Sequence, residues 1–484
     1  MVVGLVLLGL SWLVANPPAA APDEPAHYLR AIAVGRFDFI GRPTNQFLML
    51  PTNAAQEDFL HRSTRMVDVP LGLAIPPQWF CIVIDHTASA ACLAGATSPN
   101  LTEQPTNEGT YQPYLYLPPG LAMRIAGDAT TALSLARWAN AVVCFALLAL
   151  AVLVMWDGHP TSLMGLPLTV SPAVVFAATV LGPSGPEIAS AICFFAFLVG
   201  LSRPTAPARW TWAAGTVAAA VLALSRPLGP LWVVLLIVVA AGLARSTGAG
   251  ERVRQARAWA VTLAAVCITG SALNLGWQIL ILPPAAVGLG QIVANVGPSL
   301  AAIPEAVGES IGVFGWQDVV MPRLIYGIWG LALVFLLSVA LLRGRLHERR
   351  IMLYLILGYG AVMVFVSAAV AMPTGFALQG RYVLPLGIAL PMVAGEVAHR
   401  NRERIGEGTV GGMFALLAII AAAVQFVGWY SNAHRYAAGA NGSWLFAGAA
   451  QWSPPGGWSI SIGLALVGCV ILGAVGRGVR SKAP

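Results

Sequence analysis

Charge is what this chain most lacks. Only 10% of its 484 residues are Asp, Glu, Lys or Arg, against 57% hydrophobic, where a soluble domain carries roughly 25% charged residues. That excludes a soluble globular enzyme and puts most of the chain in lipid. Lysine is nearly absent, with Lys482 the single example among 27 basic residues. The net charge of +7 sits in short loops between apolar segments, so it reports topology rather than nucleic-acid binding. No glycine-rich phosphate loop of the Walker type occurs, which removes an ATPase. Cys-x-x-Cys metal spacing is missing too. Of six cysteines, Cys144, Cys193, Cys267 and Cys469 fall in apolar segments and read as small buried hydrophobes. Cys81 and Cys92 lie in a long polar loop, where a disulfide depends on that loop being extracytoplasmic.

Apolar stretches, by contrast, are abundant. About twelve have the length a bilayer demands, roughly 17–25 residues with a few shorter: 1–15, 132–156, 161–181, 187–202, 210–224, 228–244, 258–282, 322–342, 351–371, 381–398, 409–430 and 458–476. Arginines concentrate in loops 203–209, 245–257, 343–350 and 399–404, and the tail carries Arg477, Arg480 and Lys482. With twelve spans these five segments share one side, which the positive-inside rule makes the cytoplasm, with both termini there. Every long connection then faces outward: 16–131, of domain size, then 283–321 and 431–457. The short first span lacks a basic flank, and a signal peptide cleaved near Ala19-Ala20-Ala21 is its alternative reading.

Against this background one segment stands out. Asp23, Glu24, His27 and Arg30 lie within about two turns just after the first span. Ionisable groups at membrane depth are costly and functional by default. Asp23 or Glu24 suits a helix N-cap and Pro25 a first turn, so Asp23 and His27 share one face. A cap uses one acid, however, and leaves the second unexplained. The stretch Tyr111 to Gly120, rich in aromatics and proline, reads as an interfacial belt. Ser184 and Glu187 have capping-box spacing, which leaves Glu187 a secondary candidate. Arg226, Arg381 and Arg435 lie at outer span boundaries. Snorkelling explains any one of them, whereas several above a carboxylate pair suit a phosphate, which arginine binds bidentately. Asp318 closes the second outer loop as a site residue or a cap. Residues 284–311 read as one or two small-residue helices along the interface.

These residues resemble a bacterial multi-pass membrane family long catalogued as a domain of unknown function. Its hallmark after the first span matches Asn16-Pro17-Pro18 and Pro22-Asp23-Glu24-Pro25-Ala26-His27-Tyr28-Leu29-Arg30-Ala31. Pro183 to Ala189, Gly312 to Trp316 and Gln379-Gly380-Arg381-Tyr382 also match, with Gly182 where the family usually has Asn. That family is similar to the GT-C superfamily of membrane glycosyltransferases. The resemblance implies an all-α polytopic, GT-C-like fold with a large first extracytoplasmic loop, in the bacterial plasma membrane. It carries the acidic motif onto Asp23 and Glu24 and leaves a divalent metal open.

An outward-facing site has no access to cytoplasmic nucleotide sugars, so the expected donor is a sugar on a polyprenyl phosphate. The acceptor would be a glycan, lipid or glycoprotein of the envelope. Asp23 or Glu24 would take the acceptor proton, with inversion, and Arg226, Arg381 or Arg435 would hold the phosphate, helped by His27 and Arg30. The main rival is a transporter or lipid flippase, which would place polar or broken-helix sites at the midplane. An inert envelope scaffold is the third reading.

Overall fold

The computed structural model describes residues 1–205, 207–245, 248–282 and 287–476. Arg477, Arg480 and Lys482, the start of the second outer loop at 283–286, and three residues in loops 203–209 and 245–257 lie outside the described residues. The chain is mostly helical. In order it forms α1 (Val2–Ala15), α2 (Glu24–Gly35), α3 (Ala54–Ser63), α4 (Leu117–Met123), α5 (Ala129–Met155), α6 (Pro172–Thr179), α7 (Ser184–Leu201), α8 (Arg209–Ala223) and α9 (Gly229–Ala244). There follow α10 (Arg257–Ile281), α11 (Leu289–Gly312), α12 (Arg323–Arg343), α13 (Leu346–Val366), α14 (Gly380–Gly387), α15 (Ala389–Arg400), α16 (Glu407–Ala438) and α17 (Gly457–Ala474). Short helical turns connect several of them.

Helix covers each of the twelve apolar intervals, but length divides them. Among the described residues, eight helices are long and apolar enough to cross a membrane, or up to ten if each of two bent pairs is one span. The expected twelve is therefore revised to eight to ten. The interval 161–181 is broken by a 73° bend between Pro160–Thr169 and Pro172–Thr179, where Ser171-Pro172 interrupts the helical hydrogen bonding. Helix α1 has 14 residues and α8 has 15, each short of the roughly 20 a straight crossing takes. At the other extreme α16 runs for 32 residues. It reaches Ala438, which moves Arg435 from the expected third outer loop onto a helix.

The bundle has one continuous core, and α7, buried nearly throughout, runs through its middle between α5 and α8. The lipid-facing helices α10 and α12 are far less buried. The first loop folds as a lobe with a second core of its own, built on Tyr28, Leu29, Val67, Leu73, Trp79 and Ile82. Strands β1 (Arg42–Pro43), β2 (Arg65–Asp68) and β3 (Glu103–Thr106) form an antiparallel sheet in that order, with Arg65 opposite Thr106. Cys81 and Cys92 are joined by a disulfide. Helix α2 crosses the floor of the lobe. The Tyr28 hydroxyl donates to the Leu73 carbonyl at 2.8 Å, and the Thr106 hydroxyl donates to the Ala26 carbonyl at 2.8 Å.

Candidate active site

The segment joining α1 to α2 is held by its carbonyls. Arg137 of α5 donates to the carbonyls of Asn16 and Pro17, both at 2.8 Å. Trp316 Nε1 donates to the Ala19 carbonyl at 2.8 Å, and the Tyr436 hydroxyl to that of Ala20 at 2.9 Å. Prolines at 17, 18 and 22 supply no competing N–H groups. The clamped chain enters α2 with Asp23 at φ 62°, in the left-handed region. Non-glycine residues seldom adopt it, and where they do the surroundings must enforce it.

This geometry separates the two acids. Glu24 is fully buried. Its carboxylate takes two bonds from Arg137, Nε at 2.7 Å and Nη2 at 2.5 Å, and a third from the Leu181 backbone N–H at 2.9 Å. With both oxygens occupied and no exposed surface, it ties α2 to α5 and to the turn before α7. Asp23 occupies the N-cap position but makes no capping bond with its side chain. Its carboxylate is partly exposed and accepts from Arg381 Nη2 at 3.0 Å. The expected cap is absent, and the acid left over is Asp23.

Arg381, at the start of α14, also donates through Nε to Gln379 Oε1 at 2.6 Å. Its guanidinium lies 5.5 Å from the Tyr382 ring centroid, and that of Arg226 lies 4.5 Å from the same ring. Arg226 comes from the turn between α8 and α9. It donates to Ser184 Oγ at 3.1 Å and approaches Glu187 Oε2 at 3.8 Å. Ser184 and Glu187 make no side-chain cap on α7. Instead of forming the expected capping box they face Arg226, with Glu187 also accepting from Ser225 Oγ at 3.2 Å.

His27 is buried, its Nδ1 at 2.8 Å from the Tyr116 hydroxyl. Burial first, then the charges of Arg381 and Arg226, hold its imidazole well below the usual range, so it is neutral at pH 7. The opposite ring edge faces Gly182. A Cβ there would lie 3.2 Å from His27 Cδ2 and 3.5 Å from Nε2, so the glycine leaves room beside the imidazole. Arg30 is fully buried and donates from Nη2 to the Tyr111 carbonyl at 2.5 Å. The Tyr111 hydroxyl lies 3.5 Å from Arg226 Nη2. Tyr111 and Tyr116 thus turn into the site, correcting their reading as an interfacial belt.

Two expected site residues lie elsewhere. Arg435 is buried and spends its guanidinium on Asp318 at 3.0 Å, the Asp85 carbonyl at 3.3 Å and the Ala88 carbonyl. Asp318 accepts from the Trp316 backbone N–H at 2.7 Å. The pair latches α16 to the first lobe, and the buried Arg435 is not among the residues that line the cleft described below. The sequence reading missed Arg137 and Glu309. Glu309 accepts from the Gly380 N–H at 2.6 Å; burial first raises its pKa, with that bond opposing. Capping of α14 by an acid on α11 has no local signature.

A cleft opens beside these groups. One wall is apolar, with Ala173, Phe176, Ala177 and Val180 of α6 and its exit. The other carries His27, Ser184, Glu309, Gln317, Gln379 and Arg381. Among the described residues no three His, Cys, Asp or Glu side chains come together to hold a metal, and the Asp23 carboxylate faces a guanidinium. These residues do not fit a metal cage.

Fold and site together define a polytopic helical membrane protein with a cationic, carboxylate-bearing cleft at one end. Residues 6–390 match the family described as "Predicted membrane protein (DUF2142)", and the chain belongs to that family. Two crystal structures of ArnT from Cupriavidus metallidurans are similar to it at 14% identity, each alignment covering 98% of this chain and 76% of theirs. The apo structure has a TM-score of 0.45, and the one bound to undecaprenyl phosphate has 0.44. No curated protein matches the sequence.

Proposed function

We propose that this protein is an inverting membrane glycosyltransferase. It moves a sugar from a polyprenyl-phosphate donor to a glycan, lipid or glycoprotein acceptor of the envelope, on the extracytoplasmic side of the membrane. The observation that carries the reading is the Asp23–Arg381 pair beside a cleft with one apolar and one polar wall. Asp23 is the base. It takes the acceptor hydroxyl proton as that oxygen attacks the anomeric carbon from the face opposite the phosphate. Arg381 and Arg226, flanking the Tyr382 ring, bind the lipid phosphate and stabilise the charge it gains on departure. The apolar wall takes the first part of the prenyl chain. Neutral His27 offers a hydrogen bond to the substrate without adding charge. Glu24 has no catalytic step and holds Asp23 in place through Arg137.

The resemblance of the Asp23 motif to the acidic loop of GT-C enzymes supports the same reading. Transfer of labelled sugar from a panel of polyprenyl-phosphate sugars by the purified full-length protein tests it. Wild type should transfer from at least one donor, and Asp23→Asn should lose transfer about a hundredfold or more, the range general bases contribute. Undiminished transfer by Asp23→Asn would sink the base assignment. Movement of intact donor across proteoliposome membranes without sugar transfer would favour a flippase.

A further inference from the structure

Among the candidate spans α10 is the least buried. Of its 25 residues only Gly270 and Asn274 are buried, and four positions apart they share one face. A Cβ at Gly270 would come within 3.0 Å of the Ala223 Cβ, so α10 lies close against α8 there. Asn274, one turn further along, is fully buried. Its Nδ2 donates to the carbonyls of Ala223 and Arg226, both at 2.9 Å. Its Oδ1 accepts from Gln112 Nε2 at 3.1 Å and from Gln278 Nε2 at 2.8 Å. An amide side chain has two donor hydrogens and two acceptor lone pairs, so every position on Asn274 is used. The same face of α10 extends the grip. Gln278 Nε2 also donates to the Pro227 carbonyl at 3.1 Å, and Trp277 Nε1 to the Thr110 carbonyl at 2.8 Å.

A buried amide on a helix in lipid is costly unless it is satisfied, and it marks function by default. Closing the end of α8 would occupy only the Ala223 carbonyl. The same amide reaches on to the backbone of Arg226, and through Gln112 it holds the residue next to Tyr111. Those are the cation and the phenol that meet in the site, with the Tyr111 hydroxyl 3.5 Å from Arg226 Nη2. Ser184 and Glu187 of α7 fix the guanidinium end of Arg226. Asn274 fixes its backbone end.

We propose that Asn274 is the positioning residue of the phosphate subsite. It does not touch the donor. It sets where Arg226 and Tyr111 stand against the lipid phosphate, and α10 is retained at the edge of the bundle to carry it. The assignment rests on the transferase reading, in which Arg226 binds that phosphate. Asp23 and Arg381 belong to other elements and keep their places without it.

The test is the affinity of the purified full-length protein for a polyprenyl phosphate, the lipid product, measured beside thermal unfolding. Asn274→Leu keeps the bulk and removes both donors. It should weaken binding about ten- to a hundredfold, the loss that a misplacement of about 1 Å can bring. Asn274→Ser, small and still polar, should weaken it less and carries the same comparison where the leucine variant does not fold. The deciding measurement is a double-mutant cycle with Arg226→Ala. If Asn274 acts through Arg226, its substitution should cost little further affinity once that side chain is gone. A residue that merely holds the bundle together would weaken the Arg226→Ala protein as much as the wild type. Wild-type affinity in the folded Asn274 variants, or fully additive losses in the cycle, would overturn the assignment. Failure of the wild type to bind polyprenyl phosphate at all would overturn the reading beneath it.

Discussion

Neighbouring carboxylates at 23 and 24 meet opposite fates because of one cation far along the chain. Arg137 lies in α5 and fills both oxygens of Glu24, leaving Asp23 to Arg381, 358 positions away. The consequence is a separable pair of substitutions. Asp23→Asn removes a partly exposed charge and should keep the thermal transition near wild type while transfer collapses. Glu24→Gln leaves Arg137 buried without its counter-charge, a change that typically costs about 3–5 kcal/mol. It should lower the melting temperature of the detergent-solubilised protein clearly, with transfer falling only as folded protein is lost. A Glu24→Gln protein of normal stability but no transfer would reverse the two roles. The acid pair and its neighbours His27 and Arg30 were legible in the sequence because ionisable residues at membrane depth need a reason. Their division of labour was not, since it depends on partners more than a hundred positions distant. Arg435 shows the same limit. Spacing placed it with the other outer arginines, but only packing reveals that Asp318 and backbone carbonyls of the first lobe engage it instead.

At the scale of elements, the site depends on how closely α2 lies against α4. Gly35 and Gly120 meet there backbone to backbone. A Cβ at 120 would come within 2.3 Å of the Ala31 carbonyl oxygen and 2.6 Å of the Gly35 nitrogen, with no flexible side chain to yield. Gly120→Ala should therefore push the helices apart, at about 1–3 kcal/mol for an overpacked contact. Because α2 carries His27 and the turn before α4 carries Tyr116, their 2.8 Å contact should loosen as well. The measurement is thermal unfolding together with transfer, and both should fall. A stable, fully active Gly120→Ala protein would mean that this packing does not set the His27 position. Apolar runs made the helices easy to find, since each of the twelve intervals holds one. Which of them cross was harder, because a run of suitable length can fold as a bent pair, as at 160–179. Capping spacing misled at Ser184 and Glu187, where Arg226 takes the side chains the motif would have used.

Considered whole, the molecule has two polar ends with an apolar body between them. One end holds Asp23, Arg226 and Arg381. At the other, Arg203 and Arg400 grip Glu396 at 2.7 and 2.8 Å, and His399 Nε2 lies 2.8 Å from Asp157. Helix α7 connects them, with Glu187 in its first turn at the site end and Arg203 just past its last residue. The arginine-rich loops thus gather opposite the cleft, which is the arrangement a cytoplasmic face requires under the positive-inside rule. The donor assignment depends on this orientation, because a cleft open to the cytoplasm would have nucleotide sugars within reach. Single cysteines decide it, in a background where Cys267, a free cysteine that is not fully buried, is replaced by serine. Ile84 is 82% exposed at the cleft end, and Glu403 is exposed at the other. A membrane-impermeant maleimide added to intact cells (with the outer membrane permeabilised if there is one) should label Ile84→Cys and spare Glu403→Cys until the plasma membrane is opened. The reverse pattern would turn the cleft inward. The polyprenyl-phosphate donor would then lose its rationale, and the proposed transfer would need a donor made in the cytoplasm.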